Sequence, residues 1–178
     1  MKKTVIMILA VIIFVITSFV VSFLYIDRLL DNLKFRSEEE IIRLFEENKK
    51  EFVNAADALK DYQSHWSIRK EDQNRSDFKS QRIRRNLYVI IHEKPYDELP
   101  TIAEHLENNN DVSKILKELN FKLITKTPRL DKEGIYFVKQ TSISYEAGIV
   151  YSANQNPTSR YIKKLTEIGD GWYYYESK

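Results

Sequence analysis

The chain has no cysteine, and only four glycines, four prolines and three histidines in 178 residues. Each shortage excludes something. Without cysteine there is no disulfide framework, no thiol chemistry, no lipid-modified cysteine and no cysteine to complete a zinc set. With so few glycines and prolines there is no low-complexity linker and no Gly-rich phosphate loop, and no second domain boundary shows. The histidines, His65, His92 and His105, are far apart in the chain. His92-Glu93 has Tyr96 where a zinc-protease helix needs its second histidine. No serine sits in a Gly-x-Ser-x-Gly elbow. Neighbouring carboxylates such as Asp97 and Glu98 are explained by solubility, and a glycosidase pair is defined by a spatial separation that sequence does not supply. The expectation is therefore no catalytic residue, no metal and no cofactor.

Charge of one sign is also scarce. The chain carries 28 basic and 26 acidic side chains. Lys2 and Lys3 account for the excess, so the remainder is formally neutral and gives no electrostatic reason to expect nucleic acid.

What the sequence does have is one long greasy run. Residues 4–26 are uncharged and mostly apolar, with six Ile, five Val, three Phe and two Leu. At about 1.5 Å per residue such a helix spans roughly 35 Å, enough for a hydrocarbon core of about 30 Å. Thr4, Thr17, Ser18 and Ser22 can return their hydroxyls to the helix backbone, and Tyr25 suits the headgroup level. Two rivals are a buried soluble helix and a cleaved signal peptide. The second would have an apolar region of about 7–15 residues and a small-x-small cleavage site. Here the run is longer, and Phe23, Leu24, Tyr25, Ile26 and Asp27 close it. The expected division is an uncleaved membrane anchor over 1–26, a short stalk over 27–36 and one extracytoplasmic domain over 37–178. The basic flanks do not decide orientation by count, but a very short basic tail before a strong apolar run resembles an export signal. That places the N-terminus in the cytoplasm.

The exported part opens with Ser37-Glu38-Glu39-Glu40, a capping box in which hydroxyl and carboxylate exchange hydrogen bonds with each other's amides. Ile41, Phe45, Phe52, Ala55, Ala56, Leu59 and Tyr62 then recur at helical steps, predicting one helix over 38–62 that lies on a sheet. A coiled-coil stalk is the alternative, although the pattern spans only about three and a half heptads and lacks clean a/d leucines. Residues 65–68 suggest a first strand. Residues 69–85 read as a long loop or a solvated helix, and Leu87-Tyr88-Val89-Ile90-Ile91 as a strand. Short helices are expected over 101–106 and after Asp111, read as the cap of an apolar face formed by Val112, Ile115, Leu116 and Leu119.

The last third is β-like. Residues 121–125 alternate, and 135–138 come after an expected turn at Gly134. Between 143 and 151, Ile143, Tyr145, Ala147, Ile149 and Tyr151 share one face, with Ser144, Glu146, Gly148 and Val150 on the other. Gly169-Asp170-Gly171 joins two strands as a hairpin with two or three turn residues. The predicted class is α+β: a long leading helix packed on an antiparallel sheet, with short helices inserted in the middle.

Two groups are candidates for contact with partners. Arg69, Lys70, Arg75, Lys79, Arg82, Arg84 and Arg85 can meet an anionic surface, or simply be a solvated loop that pairs with Glu71, Asp72 and Asp77. Trp172, Tyr173, Tyr174 and Tyr175, with Tyr145 and Tyr151 as neighbours, can form an exposed stacking platform for a peptide or glycan, or a set of cross-strand aromatic pairs.

The stretch Gly148-Ile149-Val150-Tyr151-Ser152, then Asn156-Pro157, Lys164-Leu165 and Gly171-Trp172-Tyr173-Tyr174-Tyr175, together with the lysine-initiated isoleucine-rich run, resembles small uncharacterised membrane-anchored proteins of low-G+C Gram-positive bacteria. The resemblance covers mainly residues 143–175 and the anchor. It implies a bacterial cell-surface setting and transfers no activity.

The resulting expectation is a single-pass, non-catalytic interaction or accessory protein of the cell envelope. It would be held in the bilayer by residues 4–26 and serve a protein or peptide partner. The alternatives are an immunity-type or peptide-binding protein acting outside the membrane, and a membrane-tethered hydrolase.

Overall fold

A computed structural model describes residues 17–19, 36–70, 79–83, 86–92, 96–127, 131–142, 145–153 and 159–177. The chain divides into two compact units, Met1–Arg36 and Ser37–Lys178. In the first unit, residues 17–19 are helical and Arg36 is exposed; the rest of the expected anchor, and the expected stalk over 27–35, lie outside the described residues. Among the described residues no helix is long and apolar enough to cross a membrane.

The second unit is α+β. Helix α1 (Glu38–Glu47) starts at the expected capping box: Ser37 Oγ accepts the Glu40 amide at 3.3 Å, and Glu40 Oε2 accepts the Ser37 amide at 3.2 Å. The single helix predicted over 38–62 is two helices, α1 and α2 (Lys49–Leu59). Asn48 makes the break. Its side-chain amide donates to the Leu44 carbonyl at 2.9 Å, and its φ of −128° leaves the helical region. The apolar stripe survives because Ile41 and Phe45 on α1 and Phe52, Ala55, Ala56 and Leu59 on α2 all face the same sheet.

Eight antiparallel strands form that sheet, in the order β2-β3-β1-β4-β5-β6-β8-β7. They are β1 (Trp66–Arg69), β2 (Lys79–Ile83), β3 (Leu87–Ile91), β4 (Leu123–Thr127), β5 (Asp131–Thr141), β6 (Glu146–Tyr151), β7 (Ile162–Gly169) and β8 (Trp172–Ser177). Between β3 and β4 come α3 (Glu98–Glu107) and α4 (Asn110–Lys117). The main core gathers the buried faces of all four helices against one face of the sheet. A smaller cluster of Tyr136, Val138, Val150, Tyr173 and Tyr175 lies on the opposite face, as strand alternation requires.

Three local expectations are corrected, and the turn length left open for the hairpin is settled. Residues 79–83 are neither loop nor helix but the edge strand β2, formed by pairing with β3 despite holding one buried apolar residue, Ile83. Residues 71–78 lie outside the described residues. Asn109, not Asp111, caps α4, its side chain accepting the amides of Asp111 and Val112 at 3.0 and 3.1 Å. Gly134 is not a turn but stands inside β5. The hairpin has two turn residues, Asp170 and Gly171, both at positive φ (56° and 79°), and Gly169 pairs with Trp172. Positive φ at both central positions gives the primed turn that fits strand twist.

Glu38 ties α1 to β7. Its carboxylate bonds the Lys164 ammonium and accepts the Thr166 hydroxyl at 2.6 Å. These bonds hold the carboxyl below its usual 4.5. A depressed carboxyl stabilises the fold above its unfolded-state pKa, and that contribution is lost as pH falls through the folded value. The urea midpoint should therefore decline below about pH 4.5. Glu38→Gln should lower it at neutral pH and flatten the acid decline; an unaltered acid limb would refute the assignment.

Candidate functional site

The aromatic run does not form a platform. Trp172, Tyr173, Tyr174 and Tyr175 are 2 %, 5 %, 1 % and 0 % exposed. Trp172 and Tyr174 enter the main core, where the Trp172 ring meets Phe45 at 4.9 Å and Tyr151 at 5.0 Å. Tyr151 and Tyr145 are half-buried at the margin of that core. Tyr173 and Tyr175 belong to the opposite cluster, with Tyr136 edge-on to Tyr175 at 5.1 Å. The Tyr175 hydroxyl donates to Glu146 at 2.7 Å, and burial followed by the Glu146 charge pushes this phenol well above its usual range. The stacking-platform expectation is thus corrected: these rings stabilise the sheet by cross-strand packing. Tyr175→Phe removes the donor to Glu146 and should cost about 1–3 kcal/mol in urea unfolding. A surface tyrosine would show almost no change.

The basic stretch is divided by strand alternation. Lys79 faces the helices, its ammonium 5.2 Å from the Tyr96 ring centroid. Arg82 bonds Asn86 on the other face, in a register row with Tyr88 and the half-buried Arg69. Lys70, just beyond β1, donates to Asn120 Oδ1 at 3.1 Å. Arg75, Arg84 and Arg85 lie outside the described residues, as do Glu71, Asp72 and Asp77.

Pairing also assembles groups that are remote in sequence. His92 Nε2 and Ser67 Oγ are 2.9 Å apart across β3 and β1. This is the spacing of a base and a nucleophile, but Ser67 is only 1 % exposed. The pair is a part-buried hydrogen bond that links β1 to the residue directly after β3. At the α2–β1 junction, Glu98 accepts the Gln63 and Ser64 amides at 3.2 and 2.8 Å. Burial raises this carboxyl, yet the Ser64 and Gln63 hydrogen bonds outweigh it and leave it below the usual range. Lys126 donates to the Tyr62 carbonyl at 2.8 Å, and the Tyr62 hydroxyl bonds His105 Nδ1 at 2.9 Å. The cluster fastens the α2–β1 connection to α3. Among the described residues no group of three His, Asp or Glu side chains is placed to hold a metal ion.

Comparison with protein-family models, curated proteins and solved structures finds no match.

Proposed function

We propose that this chain is a single-pass, membrane-anchored protein of the bacterial cell envelope whose second unit lies outside the membrane and works by non-catalytic interaction. The observation that carries the reading is the uncharged run of residues 4–26 behind Lys2 and Lys3, succeeded by a separate folded unit that begins at Ser37. The anchor restricts the folded unit to the membrane surface and raises its effective concentration toward an envelope protein held there.

A peptide-binding or immunity-type role is the second reading. It is favoured by β2, which stands at the margin of the sheet and carries Lys79 and Arg82. An extended segment can add to such an edge through main-chain hydrogen bonds.

Protease treatment of intact cells bearing a tag after residue 178 tests the topology. Removal of the tag is expected, and full protection would overturn the reading. Affinity capture from the same envelope separates the two roles. A stoichiometric envelope protein supports the first, and a secreted peptide or toxin the second.

A further inference from the structure

Sheet register gathers lysines that the sequence scatters. Arg69 pairs with Leu123, and Leu123 with Val138. Lys70, Lys122 and Lys139 therefore stand side by side at one end of β1, β4 and β5. Three strands span about 10 Å. Alternation puts the three lysines on the helix-bearing face, in the rows of Ile68, Ile124 and Phe137.

The C-terminal turn of α4 closes over this row. Lys139 bonds the Leu119 carbonyl and donates to the Asn120 carbonyl at 3.3 Å, with its ammonium 4.9 Å from the Phe121 centroid. Lys70 takes the Asn120 side chain. Lys139 is buried and used by the fold, whereas Lys70 is exposed and leaves its ammonium at the surface. Lys122 and Lys117, the last residue of α4, are exposed, and neither forms an ion pair among the described residues. Burial, then the charges of Lys122 and Lys117, hold the Lys70 ammonium below its usual range. The three ammoniums thus repel one another, and an anion placed among them relieves that repulsion.

Glu38, at the start of α1, is fastened to Lys164. Lys164 pairs with Glu176, Glu176 with Ala147, and Ala147 with Gln140, next to Lys139. The chain thus enters the folded unit, directly after residue 36, at the end of the sheet that holds the lysine row.

We propose that Lys70, Lys117 and Lys122 form a contact surface for the anionic phospholipid headgroups of the bilayer to which the chain is tethered. This rests on the anchored reading above. Each lysine near such a surface is worth about a five-fold change in partitioning.

The test uses the full chain in nanodiscs of phosphatidylcholine, with or without phosphatidylglycerol, and a water-soluble amine-acylating reagent read by mass spectrometry. Lys117 and Lys122 should react about five-fold more slowly in the anionic discs. The protection should fade at high salt. Lys60, held by Asp57 at 2.8 Å, serves as an internal reference whose rate stays constant. In the Lys117→Gln/Lys122→Gln variant, the lipid-dependent protection of Lys70 should disappear. Equal rates in the two discs would overturn the proposal. So would equal protection by inorganic phosphate or soluble polyphosphate in neutral discs, which would assign the site to a free anion. Release of the chain from neutral discs by alkaline carbonate would instead sink the anchored reading. A retained chain without a phosphatidylglycerol effect sinks only the headgroup contact.

Discussion

Gly148→Ala is expected to destabilise the folded unit by more than about 3 kcal/mol, at the upper end of what overpacking costs. A Cβ on Gly148 would land on the Phe137 carbonyl oxygen, with the Lys139 amide nitrogen 3.0 Å away. Both obstacles are backbone, so neither can rotate aside. The crowding originates in the irregular pairing of β5 and β6, where register shifts between Val138 and Gln140. A bulge there bends β5 over the position opposite Val138, and only a residue without a side chain fits. Gly134 in the same strand supplies the control. Its added Cβ would meet the edge of the buried Tyr136 ring at 2.8 Å, a shallower overlap and with a side chain instead of backbone, so Gly134→Ala should cost less. Urea unfolding of the full chain measures both, because Trp66 and Trp172 are buried and report exposure by fluorescence. Equal losses at the two glycines would remove the backbone-clash explanation.

Phe52→Ala should cost about 3–5 kcal/mol. Phe52 is fully buried at the point where α2 meets the sheet. Its ring lies 5.3 Å from Phe45, 5.3 Å from Phe121, 5.1 Å from Phe137 and 6.3 Å from Trp172, in edge-to-face arrangements. Truncation removes the transfer free energy of a benzyl group and leaves a cavity walled by strands that are already cross-linked by hydrogen bonds, so little collapse is available. Phe52→Leu retains most of the volume and should lose much less. The same unfolding assay distinguishes them. If Phe52→Ala lost under about 1 kcal/mol, the hub assigned to this ring would be wrong.

Several of these features are legible in the residues alone, for a common reason. The capping box at Ser37 needs only groups three residues apart, and the primed turn at Asp170-Gly171 needs only two residues that tolerate positive φ. The faces of 145–151 derive from the strand period, and Ala147 and Ile149 do enter the main core while Val150 enters the other cluster. The break at Asn48 was not legible, because the helical stripe continues unbroken through it. The strand β2 was not legible either. Four of its five side chains are polar, and its conformation comes from partners on β3 rather than from its own pattern.

Sequence by itself determined the long uncharged run with its basic start, the formal neutrality of residues 27–178, the α+β alternation and the local caps and turn, since each depends on composition or on neighbours within a turn or a strand. Only the tertiary structure decided that Tyr173 and Tyr175 are enclosed rather than displayed, that Gly148 admits no side chain, and that Lys70, Lys122 and Lys139 stand in one row. Alternation fixes which face a side chain takes, but pairing register and packing fix what lies opposite it, and those are set by contacts between residues far apart in the chain.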